Sequence, residues 1–119
     1  MNTQNLNSWQ VNNVALYTED DIEFKKELLP LVIKNMHDLK TVILLKSDLT
    51  TLKEAAHKFK TTISMVNDVV LINCLAVLLS GNQDALVNEA AAREAVLHCD
   101  HAISALEDEL SYINGKTAA

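Results

Sequence analysis

The sequence predicts an all-α protein, an antiparallel up-down four-helix bundle with a short N-terminal arm or helix. Three observations lead there. Among 119 residues only 2 are glycine and 1 is proline, and aromatic residues make up 4%. A sheet protein draws more heavily on turn formers and on β-branched or aromatic side chains. Apolar residues recur at steps of three and four through most of the chain, the period of a helix with one buried stripe. The breaks between these stretches are short and rich in capping residues, as where helices reverse direction. With 49% hydrophobic residues a single core suffices for one domain over residues 1–119, made of an arm (1–17) and a bundle (18–115).

The arm scatters Leu6, Trp9, Val11, Val14, Leu16 and Tyr17 among asparagines, with Trp9 as its packing anchor. Thr18-Glu19-Asp20-Asp21 resembles a helix start: a capping hydroxyl is followed by acids that favour the positive end of the helix dipole. The first long helix should run from about 20 to 46. Its stripe reads Phe24, Leu28, Leu31, Met36, Leu39, Val42 and Ile43, and Pro30 predicts a kink or a false start. Ser47-Asp48 ends it, and Asp48 is a good N-cap for a second helix over roughly 49–66. The stripe of that helix is Leu52, Ala56, Phe59, Ile63 and Val66. Asn67-Asp68 is the next break, because Asn tolerates the left-handed conformation and Asp can cap the next helix. Residues 69–79 are almost wholly apolar, which predicts a helix buried on most sides or holding a partner; burial is the default. Ser80-Gly81-Asn82 forms a turn. A last helix over roughly 83–114 carries Ala92, Val96, Cys99, Ile103, Leu106, Leu110 and Ile113, and Gly115 should stop it.

Composition also removes function classes. No apolar run reaches the ~18–20 residues of a membrane span. The polar, Asn-rich start lacks the basic-then-apolar pattern of a signal peptide, so a cytosolic location away from membranes is expected. A net charge of −6 argues against nucleic-acid partners, which call for a basic surface. Cys74 and Cys99 fall among apolar helical positions and read as small core residues rather than as a disulfide or metal pair. No Gly-rich nucleotide loop is present, so autonomous kinase activity, and with it an enzyme in the ordinary sense, is not expected. Nothing in the sequence asks for more than a monomer.

The chemistry concentrates at His57. It lies about 100° round the helix from Ala56, at 3.6 residues per turn, and should therefore face water. Lys53, Lys60, Thr61 and Ser64 stand four before and three, four and seven after it, on the same side, and Lys58 is its neighbour. An imidazole nucleophile, cations and two hydroxyls then line one face, a place to hold a phosphoryl group. Lys53, Lys58 and Lys60 make a basic patch on an acidic chain.

The segment Asp48-Leu49-Thr50-Thr51-Leu52-Lys53-Glu54-Ala55-Ala56-His57-Lys58-Phe59-Lys60 resembles the active-site helix of histidine-containing phosphotransfer (HPt) domains. The shared elements are a capping acid, Leu, paired alanines and then His-x-hydrophobic-Lys. The likeness extends more loosely over residues 18 to 114. It implies that His57 is a phosphoacceptor exchanging a phosphoryl group with an aspartate of a response-regulator receiver domain, free or within a hybrid sensor kinase, and that Lys60 supports the phosphate. Lys53, Lys58, Thr61 and Ser64 would then belong to the docking face. The resemblance implies no cofactor in this chain, since the Mg²⁺ belongs to the receiver. Two positions depart from the family's pattern. Thr61 stands where a Gly usually follows the Lys, where it either crowds the receiver or donates a hydroxyl hydrogen bond. Asn67 replaces a later turn Gly, a mild change.

Two other readings stand beside this one. A non-catalytic helical interaction module, either a degenerate HPt-like receiver binder or a bundle that dimerises through 69–79, is favoured by Thr61. A metal site on His98 and His101, with Glu94 four residues before His98, lacks a third well-placed ligand, and a solvated polar face is the plainer reading. His37 reads as a surface residue.

Overall fold

The structure, a computed structural model, describes residues 22–46 and 48–118, with the backbone alone for 116–118. The arm expected over 1–17, with Trp9, and the helix start at Thr18-Glu19-Asp20-Asp21 lie outside the described residues. Every regular element among the described residues is a helix: α1 (Ile22–Leu44), α2 (Leu49–Lys58), α3 (Lys60–Val66), α4 (Val69–Leu79) and α5 (Ala85–Ala118).

α1 runs past Pro30, which sits on its exposed side, so there is no false start. Its buried line is Lys25, Leu29, Val32, Met36, Leu39 and Ile43, spaced 4, 3, 4, 3, 4. This corrects the first half of the expected stripe. Phe24 and Leu31 are 46% and 54% exposed, and Leu28 is half-buried. Leu28-Leu29 and Leu31-Val32 allow two registers one residue apart. Met36, Leu39 and Ile43 select the later one, because a helix keeps one face toward its neighbour along its length. That register brings Lys25 inside, where its ammonium meets the Glu109 carboxylate and its stem covers apolar surface.

Caps define the joints. Lys46, at φ 52°, closes α1, and its N–H donates to the Ile43 carbonyl at 3.1 Å. The Asp48 carboxylate accepts from the Thr51 N–H at 2.7 Å to start α2. The predicted single helix over 49–66 is interrupted only at Phe59 (φ −99°, ψ 17°). There the Phe59 N–H still donates to Ala55 O at 2.9 Å and the Ile63 N–H to Phe59 O at 2.9 Å, so α3 continues the hydrogen-bond ladder of α2. Asn67 takes the left-handed conformation (φ 50°, ψ 42°), and Asp68 caps α4 through the Leu71 N–H at 3.1 Å. Gly81, at φ +78°, carries the next turn; that backbone angle is costly for a residue with a Cβ. Asp84 then caps α5 through the N–H groups of Leu86 and Val87. Gly115 does not stop α5, which continues to Ala118; a glycine weakens a helix by only about 1 kcal/mol and ends it only where the backbone turns left-handed.

α1 packs along α5, α4 along α5, α2 against α1 and α4, and α3 against α1. Lys25 pairs with Glu109 and Lys40 with Asp100, so α1 and α5 run in opposite directions. Leu29, Val32, Met36 and Leu39 of α1 meet Val66, Leu71, Cys99 and Leu106 in the fully buried centre. On α5 the early buried line runs through Ala91 and Ala95, while the expected Ala92 and Val96 are half-buried. Only Leu71 and Leu75 of α4 are buried. Val69, Val70 and Ile72 are 58%, 41% and 37% exposed, so the expected burial of α4 on most sides does not hold: one side of a single helix suffices to pack on α5, and nothing among the described elements covers the other.

Candidate functional site

His57 is placed by what lies behind it. Asp48 fixes where α2 begins. The Thr51 N–H and hydroxyl hold its carboxyl below the ordinary carboxylate value, as hydrogen bonds to the charged form do. Leu52, Ala55 and Phe59 then anchor the helix in the core. Ala55 is buried and Ala56 half-buried, so the stripe sits one residue earlier here than the sequence suggested. His57 is two positions from Ala55, about 200° round the helix, and is exposed.

The other predicted site residues are also at the surface: Lys53, Lys58, Lys60 and Thr61 are exposed, and Ser64 is exposed with them. The Lys58 ammonium lies 5.4 Å from the centre of the Phe59 ring, a cation–π contact. Lys60 is the first residue of α3, so the distorted residue Phe59 lies between it and His57. No hydrogen bond or ion pair engages the side chain of His57, Lys53 or Lys60 among the described residues. Thr61 and Thr62 divide their roles. Thr61 stays outside with His57, while Thr62 is buried and its hydroxyl accepts from Asn35 Nδ2 at 2.9 Å, tying α3 to α1. Besides the uncommitted imidazole of His57, α2 and α3 expose the ammonium groups of Lys53, Lys58 and Lys60, the carboxylate of Glu54 three residues before His57, and the hydroxyls of Thr61 and Ser64.

A second group of titratable side chains escaped the sequence reading. Asp68 is 3% exposed. One of its oxygens caps α4, and the other lies 2.6 Å from His98 Nδ1. The expected solvated polar face at His98 is thereby corrected: only 15% of its side chain is exposed, because the packing of α4 on α5 brings Asp68 onto it. Glu94 Oε2 lies 3.9 Å from His98 Nε2, beyond hydrogen-bond reach. The His101 ring centroid is 5.5 Å from that of His98. Among the described residues no group of three or more His, Cys, Asp or Glu could hold a metal ion. His37 is exposed on α1, as expected of a surface residue.

Both cysteines are free, Cys99 buried and Cys74 half-buried. Burial, and then the charges of Asp100 and Asp68, push the Cys99 thiol up to about 12. Burial, followed by Glu94 and Asp68, raises Cys74. A thiol kept protonated is a poor nucleophile, so neither competes with His57 as a reactive group.

No family model matches this chain, and neither a curated protein nor a solved structure does.

Proposed function

We propose that this chain is a phosphocarrier of the HPt type, in which His57 accepts a phosphoryl group from an aspartyl phosphate of a receiver domain and returns it to another. The observation that carries the reading is the exposed His57 on a helix anchored by Leu52, Ala55 and Phe59, with Lys53, Lys60, Thr61 and Ser64 exposed as well. In this reading α1, the near-continuous α2–α3, α4 and α5 are the four members of an antiparallel up-down bundle, and the chain works in the cytosol as a monomer. Among the described residues no helix is long and apolar enough to cross a membrane.

The chemistry rests on the side chains. A nitrogen lone pair of the neutral imidazole attacks phosphorus in line with the acyl phosphate. The bond from phosphorus to the aspartyl oxygen breaks, and the carboxylate leaves with the electron pair. The other ring nitrogen keeps its proton, so the phosphorylated ring carries positive charge beside the dianionic phosphoryl group. Lys60 meets that group as a mobile point charge. The receiver supplies the Mg²⁺ that neutralises charge in the transition state, and this chain contributes a nucleophile and a docking face that includes Lys53, Lys58, Thr61 and Ser64. It has no kinase activity of its own.

The exposed Val69, Val70 and Ile72 of α4, together with Thr61 at the approach to His57, favour a second reading: a non-catalytic module that binds receivers or dimerises. Incubation with a phosphorylated receiver separates the two. The carrier takes up an acid-labile, base-stable label that His57→Gln abolishes. A protein that binds the receiver equally well with or without His57, and takes up no label, is the module.

A further inference from the structure

At the end of the molecule where α1 and α4 finish and α2 and α5 begin, the helices leave a groove of about 680 Å³. Its walls are apolar, with Val42, Leu49, Leu52, Leu78, Ala92 and Val96 contributed by four helices. Two of the residues that α5 contributes to the lining, Ala85 and Ala92, have small side chains. Leu44 and Leu45 beside it are 56% and 73% exposed. The volume is in the ordinary range for small-molecule sites, ~300–1,000 Å³, and spaces between bundle helices are a usual place for them.

The polar lining selects the occupant. In a chain of net charge −6, the ionisable residues of the groove are Lys46, Arg93 and Glu89. Lys46, held in the left-handed turn at φ 52°, has no ion-pair partner among the described residues. Arg93 reaches Glu89 only at 3.9 Å, with both side chains more than half exposed. Asn88, also in the lining, donates from Nδ2 to Asn82 O at 2.6 Å, and its Oδ1 is buried with no hydrogen-bond partner among the described residues. An apolar groove whose ionisable lining is two cations and one carboxylate is complementary to an anion with an apolar body. The geometry points to a binding site for a medium-chain amphipathic anion, its alkyl body between Leu52, Leu78 and Ala92 and its single carboxylate-type head at Lys46 and Arg93. This assignment is independent of how His57 is used.

The test titrates the full chain with decanoate and with 8-anilinonaphthalene-1-sulfonate, monitoring dye fluorescence and backbone amide shifts. A single saturable site is expected, with shifts at Leu49, Leu52, Leu78 and Ala92, and with decanoate displacing the dye. Ala92→Trp fills the chamber and should weaken both ligands at least tenfold. Ala85→Phe, at the first residue of α5, serves the same purpose should Ala92→Trp fail to fold. Lys46→Glu should weaken decanoate several-fold and leave decanol unchanged. The assignment is overturned by non-saturable binding, by binding that neither filling variant alters, or by a protein-concentration dependence showing that a second copy of the chain occupies the groove.

Discussion

His57 stands on the outer face of α2 with its imidazole in water, whereas His98 on α5 keeps 15% of its side chain exposed and lies 2.6 Å from a buried carboxylate. The two rings have the same intrinsic chemistry and opposite freedom. Around His57 the charged residues are Lys53, Glu54, Lys58 and Lys60, all exposed, and the ammonium groups of Lys53 and Lys60 engage nothing else among the described residues. Around His98 the partner, Asp68, is already committed through its other oxygen to the first turn of α4. A reagent needs access and an unspent lone pair; a structural tie needs burial and a fixed partner. In the proposed reading, phosphoryl chemistry belongs to the first histidine and cohesion between α4 and α5 to the second.

The sharpest way to break that contrast is to exchange the consequences. His57→Gln should reduce phosphoryl uptake by at least a hundredfold while moving the urea midpoint little, since exposed substitutions away from caps usually stay within ~0.5 kcal/mol. Asp68→Ala should do the reverse. It removes a helix cap, worth about 1 kcal/mol, and leaves a largely buried imidazole without its partner, worth about 1–3 kcal/mol more, with labelling of His57 retained in the folded fraction. Equilibrium unfolding measured beside label uptake reads both, and a destabilised His57 variant with normal uptake would reverse the two roles.

Lys60 tests how far the face acts as a unit. An exposed ammonium near a dianion contributes modestly, so Lys60→Ala should slow transfer about tenfold or less, and Lys60→Arg should recover most of it. Single-turnover transfer from a phosphorylated receiver measures the rate. An unchanged rate would mean that the distortion at Phe59 carries the ammonium away from the phosphoryl group.

Local features were the ones legible in the sequence. Asp48, Asn67 and Asp68 declared the joints, because a cap acts within three or four residues of its own position. The exposure of His57 is read from its offset of about 100° from Ala56; Ala55 is the buried residue instead, which turns His57 still further from the core. The missed features are those decided between distant elements. Two registers of α1 differ by one residue and bury comparable leucines; continuity with Met36, Leu39 and Ile43 favours the later one, and what it gains by placing Lys25 against Glu109 is visible only once α5 is in place. The Asp68–His98 pair joins residues 30 apart, so no short-range pattern could announce it. The outward side of α4 has the same residue types as its inward side, which leaves composition unable to say which is covered.

The smallest expected effect concerns the buried flank of the second region. Burial, which penalises the thiolate, is the chief cause that pushes the Cys99 thiol up to about 12 in the folded chain from an ordinary value of 9.0. The folded state therefore holds this proton more tightly than the unfolded state. The associated stability is complete below about pH 9 and is lost as pH rises from 9 toward 12. In Cys99→Ala that component is absent. The stability difference between the native chain and this variant should thus shrink between about pH 9 and about pH 10.5, by on the order of 1 kcal/mol per pH unit at most, as read from urea unfolding at each pH. A difference independent of pH would show that the thiol ionises alike in both states, and that the packing of α5 around Cys99 is looser than its complete burial implies.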